Sequence, residues 1–187
     1  MKLQGKKILK AVALAAALAL IAGCGGEQKK EAPKAADSSK SVKVGIVQLV
    51  EHQALDAANK GFVEGLASRG YKEGKNITFD RQNAQADQSN LQTIAQRFVN
   101  SKVNLICAIA TPAAQTVANA TKDIPIVGTA ITDYEQAKLV KSNAKSGTNV
   151  TGTSDMNPIK EQIDLLMKIV PQAKTIGFIY SSSEVNS

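Results

Sequence analysis

Residues 42–66, VKVGIVQLVEHQALDAANKGFVEGL, decide the fold, because a run of β-branched residues gives way there to a helical repeat. The first nine residues are nearly continuously apolar, which is typical of a strand buried on both faces of a parallel sheet. Gly70 stands where a helix stop is expected. One helical face carries the apolar side chains of Ala54, Leu55, Ala58, Phe62 and Leu66. The stretch therefore predicts one strand–helix unit.

The same alternation recurs along the chain. Further predicted strands lie at residues 76–82, 103–110, 125–131, 149–154 and 175–180. Asp87 is placed to cap a second helix, and Thr111-Pro112 and Asn157-Pro158 each have the N-cap and N1 pattern that starts a helix. The βαβ order predicts an α/β fold with a doubly wound, mostly parallel sheet and helices on both faces.

The predicted elements divide the chain into regions. Residues 42–148 have room for four strand–helix units and are assigned to an N-terminal α/β lobe. Residues 149–187 are assigned to a hinge crossing and the beginning of a second, similar α/β lobe. Because Ser187 directly follows a predicted strand with no helix to cover it, we expect the second lobe to be incomplete and the chain to be truncated.

The N-terminus has the features of an export signal. A basic stretch, MKLQGKKILK, precedes AVALAAALALIAG, which is shorter than the roughly 20 residues of a membrane span. Ile21-Ala22-Gly23-Cys24 resembles a bacterial lipobox, which implies that residues 1–23 are a lipoprotein signal peptide and that Cys24 carries diacylglycerol and palmitate. A plain secretory signal and a short membrane anchor are the alternatives. Residues 24–41 are polar and predict a flexible linker.

Composition excludes several classes of function. The chain has a formal net charge of +7, but removing Lys2, Lys6, Lys7 and Lys10 leaves 19 basic against 16 acidic residues, or +3. With no Trp and 4% aromatic residues, the chain also lacks a base-stacking surface, so no nucleic-acid partner is expected. The sequence has one histidine, and Cys107 is its one cysteine besides Cys24. These residues cannot form a Cys/His metal site. Cys107 lies in an apolar run and predicts a buried core residue.

The motifs of common enzymes are also missing from the sequence. It contains no G-x-G-x-x-G after the first strand, no phosphate-binding P-loop and no G-x-S-x-G elbow. We therefore predict a protein that is not an enzyme and needs no cofactor.

The loops that follow the strands remain as candidate binding positions. Ligands of open α/β sheets sit at the carboxyl ends of the strands, here residues 48–52, 110–113, 129–133 and 153–155. A helix N-terminus suits a carboxylate, and Thr111 adds a hydroxyl at one such end. Asp133 and Asp155 would face an ammonium group. The placement fits an amino-acid zwitterion.

Four sequence blocks become recognisable at these loops: E-H-x-A-L-D, A-T-P-A-A-Q, T-A-[IV]-T-D and N-V-T-G-x-S-D, in this order. With the final IGFIYSSSEVNS, they resemble the substrate-binding lipoproteins of ABC transporters of the tryptophan/tyrosine-type group. The resemblance implies a type I periplasmic-binding-protein fold, in which two α/β lobes close on a ligand. Its implied cleft residues are Glu51, His52, Leu55, Thr111, Pro112, Ala113, Thr129, Asp133, Ser154 and Asp155, with Glu184, Asn186 and Ser187 on the opposite lobe.

The sequence departs from this family at three places. Gln53 and Tyr134 stand where relatives often have Pro, and Ser181-Ser182-Ser183 stands where relatives often have Asn-Pro-Gly. Most candidate residues also have an ordinary structural interpretation. His52, Thr111 and Asp133 suit helix or turn caps, Ser154 and Asp155 suit a turn, and Glu51 suits a solvated surface.

We predict an extracytoplasmic solute-binding protein of an ABC importer, held at the cell membrane by lipid on Cys24. It would bind an amino acid, aromatic or branched, and deliver it to the permease and ATPase subunits. A ligand-sensing lipoprotein that signals to a membrane receptor is the alternative. An enzyme would need a nucleophile–base pair, and a transcription regulator would need a helix-turn-helix where the lipobox stands.

Overall fold

The computed structural model of the protein describes residues 41–187. The strands are β1 (Val42–Gln48), β2 (Ile77–Asn83), β3 (Leu105–Ile109), β4 (Ile126–Ile131) and β5 (Val150–Ser154). The helices are α1 (Gln53–Ser68), α2 (Gln88–Asn100), α3 (Thr111–Ala120) and α4 (Ile159–Ile169). The predicted signal peptide and nearly all of the predicted linker lie outside the described residues.

All five strands are parallel and follow the order β2-β1-β3-β4-β5. Side chains alternate between the two faces of this sheet, as strand geometry requires. Val44 and Ile46 belong to the hydrophobic cluster under α1, whereas Val47 belongs to the cluster under α2 and α3. Helices therefore cover both faces, and the predicted doubly wound, mostly parallel α/β fold is confirmed.

Local signals place several helix ends as predicted. The Asp87 side chain accepts a hydrogen bond of 2.7 Å from the backbone N–H of Asn90 and so caps α2. After α1, Gly70 takes the positive φ of 93° that favours glycine, and its N–H donates to the Ala67 carbonyl. Cys107 is fully buried, as predicted, and burial raises the pKa of its thiol to about 12.

The predicted starts of two helices are off by one residue. The first turn of α3 closes from Ala114 N–H to the Ala110 carbonyl, so Ala110 is the N-cap and Thr111 is the first helical residue. In the last helix, Pro158 is the N-cap instead of Asn157, because the backbone ψ of Pro158, 76°, is not helical. Neither helix has a side-chain cap.

Two predicted elements are absent from the described residues. Residues 175–180 form no strand, since no second sheet is present among residues 41–187 to pair with them. The fourth unit has only turns between β4 and β5, because Lys138 takes a φ of 57° and ends the single turn that begins at Asp133. β5 pairs with β4 in the first sheet, and the assignment of residues 149–187 to a hinge and second lobe stays a prediction.

Helix α4, like α1, has no buried residue, but unlike α1 it contributes no side chain to either hydrophobic cluster, although its apolar positions follow the predicted helical repeat. None of the helices within residues 41–187 has both the length and the apolar character needed to cross a membrane.

A candidate ligand site at the carboxyl edge of the sheet

The parallel sheet brings most of the predicted loops to one edge. Because β1, β3, β4 and β5 are consecutive neighbours, the residues that follow them lie side by side. Backbone hydrogen bonds continue past the strand ends and tie the loops together. Leu49 N–H donates to the Ile109 carbonyl at 3.3 Å, and Ala110 N–H donates to the Thr129 carbonyl at 3.0 Å.

The loop after β1 is held by Gln48, which is 4% exposed. Its amide nitrogen donates to the Val50 carbonyl at 2.9 Å and to the Asp56 carboxylate at 2.6 Å, and its amide oxygen accepts from Asn59 at 3.2 Å. This network fixes the loop to α1. Gln48 lies in the predicted loop at residues 48–52, but its role could not be predicted, because its partners Asp56 and Asn59 lie 8 and 11 residues away on α1.

Two predicted site residues lie in this loop and a third lies on the helix behind it. His52 is the N-cap of α1, and its Nδ1 accepts a hydrogen bond of 3.2 Å from Ala54 N–H. The capping interpretation is therefore correct for this side chain, and only Nε2 is left for a ligand. Glu51 is exposed, and Leu55 packs against the cluster under α1.

The start of α3 combines free backbone donors with a buried hydroxyl. Thr111 is 1% exposed, and its Oγ1 has no hydrogen-bond partner among the described residues. Ala110 holds a φ of 85° and a ψ of 153°, a conformation that alanine rarely adopts. Such strain tends to occur at ligand sites. Pro112 is partly exposed and Ala113 is buried beside this helix end.

Hydroxyl and carboxylate groups surround the ends of β4 and β5. The Thr153 and Thr129 hydroxyl oxygens are 3.4 Å apart, and Ser154 Oγ donates to the Thr132 carbonyl at 2.6 Å. Asp133 Oδ1 accepts from two backbone N–H groups, those of Glu135 and Gln136, at 2.8 and 3.0 Å. One carboxylate oxygen of Asp133 thus serves as a turn cap.

Asp155 is exposed at the end of β5, and its backbone N–H donates to the Ile131 carbonyl at 3.1 Å. The pairing of β4 with β5 shifts register between Gly128 and Ile131, and Ala130 takes a φ of 54°. Such an irregularity re-aims the side chains that follow it.

The residues predicted for the opposite lobe lie in the final segment. The N–H of Glu184 donates to the Ser181 carbonyl at 3.1 Å, and the hydroxyl of Ser187 accepts from the Ser181 N–H at 3.3 Å. Asn186 Oδ1 is buried and has no hydrogen-bond partner within residues 41–187. These hydrogen bonds stay within the final segment and do not bring its residues to the strand ends.

A groove of about 820 Å³ runs along the outer side of α3, away from most predicted site residues. Of these residues, only Pro112 lines the groove. Several of its polar side chains already have partners, since Gln88 donates to the Thr116 hydroxyl and Gln115 donates to the Ala137 carbonyl. We therefore favour the strand ends, where the Thr111 hydroxyl has no partner in the described part of the chain. No cluster of His, Cys, Asp and Glu suited to a metal occurs among those residues.

The sequence matches a known family across the described region. Residues 43–187 match the family model of the ABC transporter substrate binding protein. The curated relative named tyrosine-binding protein, from Clostridioides difficile strain R20291, is 48% identical over 99% of this chain and 55% of its own length. The chain thus spans about half of that relative.

Solved structures agree with this match. The crystal structure of an ABC domain in complex with L-Trp, from Streptococcus pneumoniae, has 46% identity and a TM-score of 0.75, covering 79% of this chain and 50% of that chain. The ligand-free, open structure of a substrate-binding protein with adhesive properties, from Clostridium difficile, has 53% identity and a TM-score of 0.66, covering 78% and 49%.

Proposed function

This chain belongs to the ABC transporter substrate-binding protein family, and we propose that it binds an amino acid with an aromatic side chain for import. The relative named for tyrosine and the related structure that holds L-Trp support this choice of ligand. Membership of a family of solute-binding proteins also supports the prediction that the chain is not an enzyme.

The observation that carries the proposal is the buried Thr111 hydroxyl without a partner among the described residues, at the start of α3. The free N–H groups of the first helical turn and the positive end of the helix dipole favour an anion there. A ligand carboxylate would accept a hydrogen bond from the Thr111 hydroxyl and offset the cost of leaving it buried and unpaired.

The carboxylates after β4 and β5 are suited to the other charge of the ligand. Asp133 keeps one oxygen that is not used as a turn cap, and Asp155 is exposed at the neighbouring strand end. An ammonium group placed near both would gain charge-assisted hydrogen bonds. We propose that His52, Thr129 and Ser154 also border this ligand. Glu184, Asn186 and Ser187 would contribute from an opposing surface when two lobes close.

Export and lipid attachment complete the proposed role. Cys24 would hold the protein at the extracytoplasmic side of the cell membrane, and the linker that follows would let the binding domain reach a permease. The permease and its ATPase are the proposed partners. Loss of the gene should then lower the uptake of the labelled amino acid. Unchanged uptake, with binding intact, would instead favour the sensing role.

Calorimetric titration of the protein tests the binding proposal. The protein used lacks residues 1–24 and includes the whole of the expected second lobe. We expect L-Trp or L-Tyr to bind more tightly than tryptamine, which lacks the carboxylate. Thr111→Val should weaken binding of the amino acid by about tenfold or more, because it removes one hydrogen bond to a charged group. It should change the affinity for tryptamine much less.

Thr93→Val is the matched control, since Thr93 lies on α2 and its hydroxyl donates to the Ser89 carbonyl. It should leave both affinities unchanged. The proposal fails if no amino acid binds, or if Thr111→Val weakens the amino acid and tryptamine equally.

A further inference from the structure

Tyr134 lies in a slot that two glycines form in the sheet. Gly128 of β4 and Gly152 of β5 are register partners, and the Tyr134 ring lies against both. A Cβ atom at Gly128 would come within 2.6 Å of the Tyr134 hydroxyl oxygen, and a Cβ atom at Gly152 would come closer still. Any other residue at either position would block the slot. The Tyr134 side chain therefore fits here only because both positions are glycine.

The Tyr134 hydroxyl then ties the loop after β4 to the end of β5. It donates a hydrogen bond of 3.1 Å to the Thr153 carbonyl, and the side chain is only 5% exposed. Burial, with a further contribution from the Asp155 carboxylate, raises the pKa of this phenol to about 12. The phenol therefore stays protonated and remains a donor at all ordinary pH values.

The residues on either side of this tie are the proposed contacts to the ammonium group. Asp133 directly precedes Tyr134, and the carbonyl that Tyr134 bonds belongs to the residue before Ser154. The backbone carbonyl of Tyr134 also accepts from Leu139 N–H at 2.9 Å, which closes the turn that Asp133 caps. One side chain thus fixes the loop of Asp133 relative to the strand end of Asp155.

We propose that Tyr134 is a positioning residue that sets the spacing between Asp133 and Asp155 for the ammonium group of the ligand. This inference rests on the proposed function, because it assumes that an amino acid binds at the strand ends. An ordinary core tyrosine would contribute only to stability, and its loss would not distinguish one ligand from another.

Titrations with two ligands distinguish a positioning role of Tyr134 from a purely structural one. L-Trp carries the ammonium group, and indole-3-propionate has the same ring and carboxylate without it. In the full-length protein, Tyr134→Phe keeps the ring in the slot and removes the hydrogen bond to Thr153. We expect it to weaken L-Trp by about tenfold and to change indole-3-propionate by less than about twofold.

Gly128→Ala is a second variant that acts on the same tie, because its methyl group would displace the phenol and would meet only side chains, those of Tyr134 and Ile131. Like Tyr134→Phe, it should weaken the binding of L-Trp more than the binding of indole-3-propionate. Val117→Ala is the control. Val117 is fully buried in α3, in the same hydrophobic cluster as Tyr134, so this variant should lower the melting temperature without changing the ratio.

All titrations are made well below the melting temperature of each variant, so that loss of folded protein does not enter the comparison. The positioning role is wrong if Tyr134→Phe leaves both affinities unchanged or weakens both ligands equally. If the unmodified protein binds neither L-Trp nor any other amino acid, the proposed function fails, and the role of Tyr134 fails with it.

Discussion

At the scale of single residues, burial makes two ionisable side chains weaker acids than usual. Cys107 and Tyr134 both sit in the hydrophobic clusters of the sheet, and burial raises the pKa of each to about 12. Both groups are neutral when protonated, so the folded protein holds their protons at pH values where an exposed thiol or phenol would release them. The consequence is a loss of stability in alkali.

The sign of this effect follows from proton binding in the two states. The unfolded thiol of Cys107 titrates near its ordinary value of 9.0, whereas the folded thiol titrates at about 12. Between these values the unfolded state releases the proton and the folded state keeps it, so the free energy of unfolding falls as pH rises. The stability is fully present below pH 9, and we expect a loss of about 1 kcal/mol per pH unit above it.

Urea unfolding at pH 8, 9 and 10, in the presence of a reductant, measures this slope. Cys107→Ala should remove the contribution of the thiol, together with its small part in raising the pKa of Tyr134, and so flatten the slope. Equal slopes for the variant and the unmodified protein would contradict the prediction.

Residue roles that depend on sequence neighbours were predictable, and roles that depend on distant contacts were not. Asp87 caps α2 because its side chain reaches three residues along the chain. Gly70 ends α1 through its own backbone conformation. Gln48 and Tyr134 act through partners 8 to 19 residues away, which only the folded sheet brings within reach.

At the scale of elements, two glycines differ in whether packing leaves room for a side chain. Gly45 of β1 lets the ring of Phe98 in α2 pack directly on the strand, since a Cβ atom there would lie 2.8 Å from the ring. Gly61 lies in the middle of α1, where a Cβ atom would have no atom within 4 Å. The first glycine is required by packing, and the second only weakens its helix.

We expect Gly61→Ala to raise the free energy of unfolding by about 0.5–1 kcal/mol, because alanine stabilises a helix interior relative to glycine. Gly45→Ala should lower it by about 1–3 kcal/mol, since the buried Phe98 ring would have to move. Chemical denaturation of both variants measures these changes. The prediction is wrong if the two substitutions change stability in the same direction.

Apolar runs predict strands correctly where the chain contains other strands that pair with them. Each of the five predicted runs that became a strand is paired within the sheet, with ends that differ from the prediction by one or two residues at most positions. The run at residues 175–180 has the same composition but no paired neighbour, and its side chains are exposed. A strand needs a pairing partner as well as a suitable sequence, and composition does not reveal the partner.

At the scale of the whole molecule, burial is distributed unevenly. The core lies between the sheet and helices α1 to α3, and among residues 41–187 the large exposed apolar side chains all come after Asp155. They include Ile169, at 69% exposed, and Phe178, at 75% exposed. The stability of each region should follow this division, because local opening requires little free energy where few apolar contacts are lost.

Hydrogen–deuterium exchange of the 187-residue chain should therefore separate α3 from α4. Six of the ten residues of α3 are buried, whereas none of the eleven residues of α4 is. Local opening of α4 should cost little free energy, while α3 should open only with the core. We expect amide exchange in α4 to be faster by roughly three orders of magnitude.

Helix α2 provides the comparison within the same experiment, since it packs on the same face as α3 and buries four residues. Its amides should exchange at rates close to those of α3. Equal protection of α3 and α4 would contradict the prediction and would indicate that a surface covers α4 in solution. Repeating the measurement at lower protein concentration would then show whether that surface belongs to a second copy of the chain.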